Sequence, residues 1–348
     1  MRTKLLTLFA ILALWTPRLC AAPSRSPEAQ ALLNYLHSIY GKKMLSATMA
    51  TVNWNMNEAE WVHRHTGRWP AMVCFDYIHH WASSKGGWID YTNTQMVEDW
   101  HAAGGIVSIM WHWMVPKRQA GLHTFYTKDT DFDVRKIFDE TSAEYALMIA
   151  DIDTIAGYLK LLKDKHIPVI WRPLHEAGGK WFWWGCDAAA CRRLWHIMYQ
   201  RFAAAGLDNL IWAFTPAVEW NHPVEEGMQW YPGDEYVDIV GYDIYNTDAK
   251  KCYDNYYQFL RRRCPDKLVA LTECGKLSSI GQQWQSGAKW LFFMPWYDND
   301  RTKDPTAPAF ASPEHVYASA AWWKDAWSHK FVLSRDQVKI QKVKTSRK

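Results

Sequence analysis

Eight short apolar runs, most of them separated by longer helical patterns, constrain the fold more than any other feature of this 348-residue sequence. The runs are Lys43–Met49, Pro70–Ile78, Gly105–Trp113, Ile167–Glu176, Asn209–Pro216, Val237–Tyr245, Leu268–Gly275 and Ala288–Tyr297. Strands that alternate with helices form βαβ units with parallel strands. Eight such units in a chain of this length predict a single (β/α)8 TIM barrel. A doubly wound open sheet is the alternative, but no glycine-rich phosphate loop follows the first run.

Helical patterns lie before, between and after these runs and predict the outer layer of the barrel. They cover Pro27–Tyr40, Asn57–His65, Tyr91–Ala103, Ser142–Asp164, Ala188–Ala205, Tyr253–Arg263, a short segment around Gly281, and Pro313–His329. No linker or low-complexity segment interrupts the alternation, so we expect one domain over residues 23–334.

The two ends of the chain differ from this central part. Arg2 and Lys4 precede an apolar run and then small residues, so residues 1–22 predict a secretory signal peptide. Residues 335–348 are basic and predict a solvated, frayed tail. No later segment approaches the roughly 18 consecutive apolar residues of a membrane span. We expect a secreted protein, extracellular or periplasmic, that does not cross a membrane.

Composition and charge narrow the classes of partner. A hydrophobic content of 49% is too high for a disordered chain, and the formal net charge is only +4. Much of this basic excess lies in the terminal tail, which is better explained as solvated than as an arm that binds nucleic acid. We therefore expect a monomer without a nucleic-acid partner.

Six of the seven cysteines lie beyond the predicted signal peptide, in a chain expected to reach an oxidising compartment. Cys186 and Cys191 lie five residues apart in a predicted loop and are expected to form a disulfide, with Cys252 and Cys264 as a second candidate pair. No cysteine or histidine cluster has the spacing of a zinc site, so we expect neither a metal nor a cofactor.

Polar residues close several of the apolar runs. In a TIM barrel the active site is built where the strands end, so these residues are the candidates for chemistry. They are His112, Arg172, His175, Glu176, Asp243, Tyr245, Glu273 and Trp296.

Two glutamates, Glu176 and Glu273, end the fourth and the seventh run and should face each other across the barrel mouth. Glycoside hydrolysis needs one protonated carboxyl group to protonate the leaving oxygen and one ionised group to attack or to activate water. A separation of about 5–5.5 Å is typical of retaining enzymes. The alternative is that each is an ordinary acid paired with an arginine at a strand end.

Tryptophan is unusually abundant, with 23 residues, and a cluster in the segment 181–184 directly follows the first glutamate. The sequence resembles glycoside hydrolase family 26, most closely its β-mannanases. The most specific part of the resemblance is RPLHE (residues 172–176) followed by Trp181 in WFWWG. The resemblance extends over the chain beyond the predicted signal peptide. It implies that Glu176 is the acid/base, that Glu273 in LTECG is the nucleophile, and that His175 orients this region.

The same resemblance implies roles in substrate binding. Trp181 is similar to the tryptophan that lines the subsite of the attacked sugar, and His112 in WHW to the histidine that helps bind the glycone. Trp296 resembles a further sugar-stacking aromatic residue. Tyr245 in GYDIY resembles the tyrosine that donates a hydrogen bond to the nucleophile, with Tyr242 as the alternative.

The sequence departs from the family pattern at two places. Ala177 and Gly178 stand where a Met-Asn pair often follows RPLHE. Tyr297 follows Trp296 where we would look for an arginine. Contacts made by that asparagine and that arginine are therefore in question.

The proposed roles require the two glutamates to have different pKa values. Partial burial and the charge of Glu273 should raise the pKa of Glu176. Tyr245 and Arg172 are suited to keep Glu273 ionised. Arg172 is equally suited to a structural ion pair in the barrel.

Other histidines are weaker candidates. His63 and His65 lie on a predicted helix and are better explained as surface than as a metal site. His79 and His80 follow the second run, so a sugar contact is an alternative to a purely structural role. Asp76, just before them, is suited either to bind a sugar hydroxyl or to cap a turn.

These observations together predict a retaining endo-β-1,4-mannanase that acts on mannan, glucomannan or galactomannan without a cofactor. An exo-acting, mannobiose-releasing enzyme is one alternative, because the long stretch Val115–Glu140 would supply a loop that closes one end of the cleft. A mixed-linkage β-glucanase or a β-xylanase of the same family is another. A non-catalytic polysaccharide-binding protein is disfavoured, since both carboxylates are present.

Overall fold

The computed structural model describes residues 24–51, 54–219 and 222–341, so the predicted signal peptide lies outside the described residues. Eight parallel strands close into a barrel, which confirms the predicted fold. The strands are β1 (Met44–Met49), β2 (Met72–Asp76), β3 (Ile106–Met110), β4 (Val169–Arg172), β5 (Leu210–Phe214), β6 (Ile239–Tyr245), β7 (Leu268–Gly275) and β8 (Phe292–Pro295). Pairing of Leu45 with Phe292 joins β8 to β1 and closes the barrel.

Residues along each strand alternate between two apolar layers. In β3, Ile106 and Met110 belong to the cluster that fills the barrel, whereas Val107 and Ile109 pack with the outer helices. Successive strand side chains point to opposite faces, and helices cover the outer face, so both faces are buried. This is why each strand is apolar throughout instead of alternating with polar residues.

Helices of the outer layer begin close to the predicted positions in most cases. They are α1 (Pro27–Ile39), α2 (Asn57–Thr66), α3 (Gln95–Ala102), α4 (Ala143–Asp164), α5 (Ala188–Ala204), α6 (Ala249–Lys251), α7 (Gln258–Arg263), α8 (Ile280–Gln285) and α9 (Ala320–Ser328). The first turns of α4 and α5 are capped by Ser142 and Asp187, whose side-chain oxygens accept hydrogen bonds from backbone N–H groups.

Three predicted helices differ in extent. The helix predicted from Tyr91 begins at Gln95, because the Tyr91 hydroxyl donates to the Asp76 carbonyl and holds the preceding loop to β2. The helix predicted from Tyr253 contains a π-helical segment, Cys252–Tyr257. The helix predicted from Pro313 begins only at Ala320, where Ser319 provides the cap.

The two predicted disulfides are not formed. All six cysteines of the described residues are free thiols. Cys186 is exposed with its sulfur 3.5 Å from the Thr127 hydroxyl, whereas Cys191 is buried within α5. The loop and the helix thus direct the two side chains to different surroundings.

Near the C-terminus the described chain still packs on the barrel. The Arg335 guanidinium lies 4.8 Å from the Trp69 ring centroid and 4.7 Å from that of Trp100. Residues 342–348 of the predicted tail lie outside the described residues. In the part of the chain that the structure describes, no helix combines the length and the apolar character needed to cross a bilayer.

Candidate active site

A cavity of about 280 Å³ opens at the end of the barrel where the strands terminate. Six residues predicted from the sequence line it, namely His112, His175, Glu176, Tyr245, Glu273 and Trp296. Parallel strands that close into a barrel deliver their C-terminal ends to one rim, so residues far apart in sequence meet there.

The two predicted glutamates lie close together in this cavity. Carboxylate oxygens of Glu176, Glu273 and Asp243 lie within 4.8 Å of one another. Glu273 belongs to β7, whereas Glu176 follows β4 in a left-handed backbone conformation with φ of 54°. Such a conformation is uncommon outside glycine and often marks a functional site. It is stabilised by the Glu176 N–H, which donates to the Thr215 carbonyl at 3.0 Å.

Glu273 receives two side-chain hydrogen bonds. The Arg172 guanidinium donates to one oxygen, and the Tyr245 hydroxyl donates to the other at 3.0 Å. Tyr242 is buried against Tyr256, and its hydroxyl has no partner among the described residues. The structure therefore brings Tyr245, and not Tyr242, to the glutamate.

Asp243 is a third acid of the site, and the sequence placed it among the strand-end candidates without assigning it a role. Its side chain is buried, accepts from Arg172 Nη1 at 3.1 Å and accepts from the Thr272 hydroxyl at 2.7 Å. Its signal in the sequence is its position two residues before Tyr245 in β6, since residues i and i+2 share a strand face. Arg172 thus contacts the candidate nucleophile and also forms a buried structural ion pair.

The environments of the two glutamates give their carboxyl groups different tendencies to ionise. Burial raises the pKa of Glu176 well above its usual value, and the charges of Asp243 and Glu273 raise it further. Burial and Asp243 raise the pKa of Glu273 to about 7, while Arg172 and His112 act in the opposite direction. Because Glu273 is hydrogen-bonded to a cation and Glu176 only to a neutral indole, Glu273 ionises first and Glu176 keeps its proton.

His112 is held by Asp76. The carboxylate of Asp76 accepts from the backbone N–H of His112 at 3.0 Å and contacts the ring Nδ1 at 2.6 Å. The Asp76 side chain is buried, and each of its two oxygens contacts His112. The pair leaves Nε2 of His112 as the ring nitrogen available to a ligand.

His175 directly precedes Glu176, lines the cavity and is almost completely buried. Its Nε2 is 3.9 Å from a Glu273 oxygen, and its backbone carbonyl accepts from the Trp184 indole at 3.0 Å. Burial lowers the pKa of His175 well below its usual value, and the charge of Arg172 lowers it further. The ring is therefore neutral and positions its neighbours without adding charge.

Aromatic residues after Glu176 divide into surface and core. Trp181 is 37% exposed and donates its indole N–H to Glu176 at 3.0 Å. Trp183 and Trp184 are fully buried, so the aromatic surface predicted for this segment is formed by Trp181 and by Phe182 at the cavity wall. Trp296 lies on the other side, 5.7 Å from the His112 ring.

Of the remaining histidine candidates, His80 is structural. It contacts Asp151 at 3.2 Å through Nε2 and receives the Trp111 indole N–H at 3.2 Å. His63 stacks on Trp69 with ring centroids 4.2 Å apart, and so packs on the surface of the barrel as expected. None of these residues lines the active-site cavity.

A sequence comparison identifies the family to which this constellation belongs. The sequence model of glycosyl hydrolase family 26 matches residues 21–320. The chain belongs to glycoside hydrolase family 26. This confirms the resemblance drawn from residues 172–176 and Trp181.

Curated relatives match most of the chain. A mannan endo-1,4-β-mannosidase from Thermothelomyces thermophilus is 37% identical over 290 residues, which are 79% of this chain and 56% of that protein. One from Bacillus subtilis is 30% identical over 310 residues, which are 79% of this chain and 81% of that protein. The chain spans about half the length of the first curated relatives it matches.

Solved structures of similar proteins share the architecture. The family 26 domain of an endo-β-mannanase/endo-β-glucanase from Prevotella bryantii superposes with a TM-score of 0.79 at 33% identity, covering 91% of this chain and 98% of that one. A β-mannanase from a symbiotic protist of the termite Reticulitermes speratus gives 0.76 at 32% identity, covering 92% and 97%. The latter was solved with a gluco-manno-oligosaccharide.

One departure from the family 26 pattern has a clear physical reason in this chain. A Cβ added to Gly178 would lie 2.0 Å from the Ala217 carbonyl oxygen, so the asparagine side chain of the pattern does not fit at this position. At the second departure, Tyr297 lines the cavity beside Trp296, with ring centroids 5.1 Å apart. An aromatic wall thus stands where the pattern has a cation.

The long stretch Val115–Glu140 contributes residues that the sequence prediction missed. Its short hairpin, Val115–Pro116 with His123–Thr124, leads to Phe125 and Tyr126 in the cavity wall. The loop is fixed to the aromatic segment because the Thr127 N–H donates to the Trp181 carbonyl at 2.8 Å. Nothing in its sequence pattern identifies these contacts, which depend on a neighbour more than 50 residues away.

A metal ion is not needed to balance the three acids. Glu176, Asp243 and Glu273 lie near enough to share a cation, but Arg172 already bonds to two of them. With Glu176 protonated, one guanidinium offsets much of the remaining charge.

Proposed function

We propose that the protein is a retaining endo-β-1,4-mannanase that hydrolyses mannan, glucomannan or galactomannan by double displacement. The observation that carries this proposal is the placement of Glu176 and Glu273, with oxygens within 4.8 Å but with opposite hydrogen-bonding environments. Carboxyl groups about 5–5.5 Å apart suit a retaining enzyme, because an inverting one needs about 6.5–9.5 Å to admit water.

In the first step Glu273 attacks the anomeric carbon while Glu176 protonates the leaving glycosidic oxygen. The C–O bond to the leaving sugar breaks, and a covalent glycosyl-enzyme forms on Glu273. In the second step Glu176, now ionised, takes a proton from water as the water oxygen attacks the anomeric carbon. Glu273 leaves as a carboxylate, and Glu176 is protonated again.

Neighbouring residues prepare these steps. Arg172 and Tyr245 stabilise the negative charge on Glu273 before attack and when it leaves. Trp181, beside Glu176, offers an exposed indole face for the sugar ring. His112, oriented by Asp76, is available to a sugar hydroxyl.

The activities of the similar proteins support mannan as the substrate, since both curated relatives described above are mannan endo-1,4-β-mannosidases. The N-terminal segment supports export, and we infer that the enzyme acts outside the cytoplasm as a monomer. Exo-action and a glucanase or xylanase specificity are the outcomes against which this assignment is tested.

Product profiles over time test the proposal directly. Linear mannan, galactomannan, mixed-linkage glucan and xylan are each incubated with the enzyme and with Glu273→Ala. We expect mixed manno-oligosaccharides from the two mannans and no products with Glu273→Ala. The newly formed reducing ends should be in the β configuration when first observed by NMR. Release of mannobiose alone would indicate exo-action. An initial α product, or hydrolysis by purified Glu273→Ala, would refute the retaining mechanism or the nucleophile.

A further inference from the structure

A second cavity, larger than that of the candidate active site, lies elsewhere on the barrel. A groove of about 620 Å³ runs between α2 and α3, and none of its lining residues lines the active-site cavity. Its volume falls within the range of about 300–1,000 Å³ typical of ligand-binding clefts. We propose that this groove, here called the Trp88 groove, is a second binding site for a β-1,4-linked mannan chain. The identity of that chain rests on the proposed function.

Trp88 supplies the platform of the groove. It is 70% exposed, the most exposed of the large apolar side chains at the described surface. Its described ring contact is with His79, edge to face at 5.0 Å. An indole left open at the edge of a cleft presents a flat apolar face to the C–H groups of a pyranose ring.

The loop that carries Trp88 is pre-ordered. The Asp90 carboxylate accepts from the Gly86 N–H at 2.8 Å and from the Thr92 N–H at 2.9 Å. Trp54, which also lines the groove, donates its indole N–H to the Asn93 carbonyl at 2.8 Å. A ligand therefore meets a formed surface and does not have to order the loop on binding.

Charge selects a neutral, hydroxyl-rich ligand. Glu60, Asp90 and Asp99 line the groove, and within the described residues the Glu60 carboxylate has no hydrogen-bond or ion-pair partner. The guanidinium of Arg335, which also lines it, is covered by two indole rings. Carboxylates repel nucleic acids and acidic polysaccharides but accept hydrogen bonds from sugar hydroxyls.

Polysaccharide binding by catalytically inactive protein tests the inference. All variants carry Glu273→Ala, which prevents consumption of the substrate. In that background Trp88→Ala is compared with Phe138→Ala. Binding is measured as the loss of protein from solution on insoluble mannan, mixed-linkage glucan and xylan. Phe138 is a matched control because it is 60% exposed and lies outside the groove. We expect Trp88→Ala to bind mannan roughly tenfold more weakly, as for the loss of about 50 Å² of apolar contact. Glu60→Gln should bind roughly threefold more weakly.

Equal binding of Trp88→Ala and Phe138→Ala on every polysaccharide would overturn the inference. Weaker binding confined to glucan or xylan would overturn mannan as the occupant. Thermal unfolding of each variant separates these results from misfolding. If the proposed function is wrong, the unmodified enzyme leaves mannan intact. This result is distinct from equal binding by the two variants.

Discussion

Asp243→Asn tests the electrostatic account of the site. Asp243 carries a negative charge within 4.8 Å of both candidate catalytic carboxylates, and after burial it is the largest contributor to the raised pKa of each. At an effective dielectric constant of about 20, two charges at this distance interact by about 3.5 kcal/mol, equivalent to about 2.5 pH units. Removal of the charge favours the ionised form of both glutamates, so both pKa values fall.

The assay is the pH dependence of kcat/KM on a defined manno-oligosaccharide. The acidic limit of activity reports the first ionisation of the Glu176–Glu273 pair, which produces the active form. The alkaline limit reports the second ionisation. Both limits are therefore properties of the pair and not of one residue. We expect both limits to move to lower pH by about 2 units, and closer binding of Glu273 by Arg172, which is then freed from Asp243, acts in the same direction.

Thr272→Val is the matched control, because it removes the hydrogen bond to Asp243 and leaves the charge in place. Its pH limits should stay within a few tenths of a unit of those of the unmodified enzyme. Limits of Asp243→Asn that stay in place, or that move to higher pH, would refute the argument.

Three further changes probe other parts of the site. Glu176→Ala should keep a fast first step on activated aryl glycosides, stall in the second and lose cleavage of mannan, as pre-steady-state kinetics would show. Arg172→Met leaves Glu273 and Asp243 buried without their cation, and should lower the free energy of unfolding in urea by about 3–5 kcal/mol at a pH above 7, where the acids are ionised. Gly178→Asn restores the family residue but drives a Cβ into a carbonyl, and should lower the melting temperature measured by calorimetry by several degrees.

Each of these has an outcome that contradicts it. Equal losses on good and poor leaving groups would argue against Glu176 as the acid. Unchanged stability of Arg172→Met at high pH would mean that the buried pair adds little to the fold. A Gly178→Asn protein as stable as the parent would show that the neighbouring backbone yields easily.

Much of the barrel was predictable because its signals are local. The apolar runs mark every strand, since both strand faces are buried, and strand polarity alone places Glu176 and Glu273 at one rim. Errors arose where a distant contact overrides a local pattern. Tyr91 belongs to the loop before α3 because its hydroxyl bonds to Asp76, and Cys186 stays apart from Cys191 because the helix holds the latter in the core.

The sequence by itself therefore determined the fold, the family and the two glutamates, because each depends on residue order along single strands. Tertiary structure decided what surrounds those glutamates: that Asp243 shares Arg172 with Glu273, that Tyr245 and not Tyr242 reaches Glu273, and that Trp181 stays exposed while Trp183 is buried. It also formed the groove beside Trp88 from two helices and a loop. Side-chain contacts and burial depend on which distant segments pack together, and this information is carried by the closed barrel as a whole.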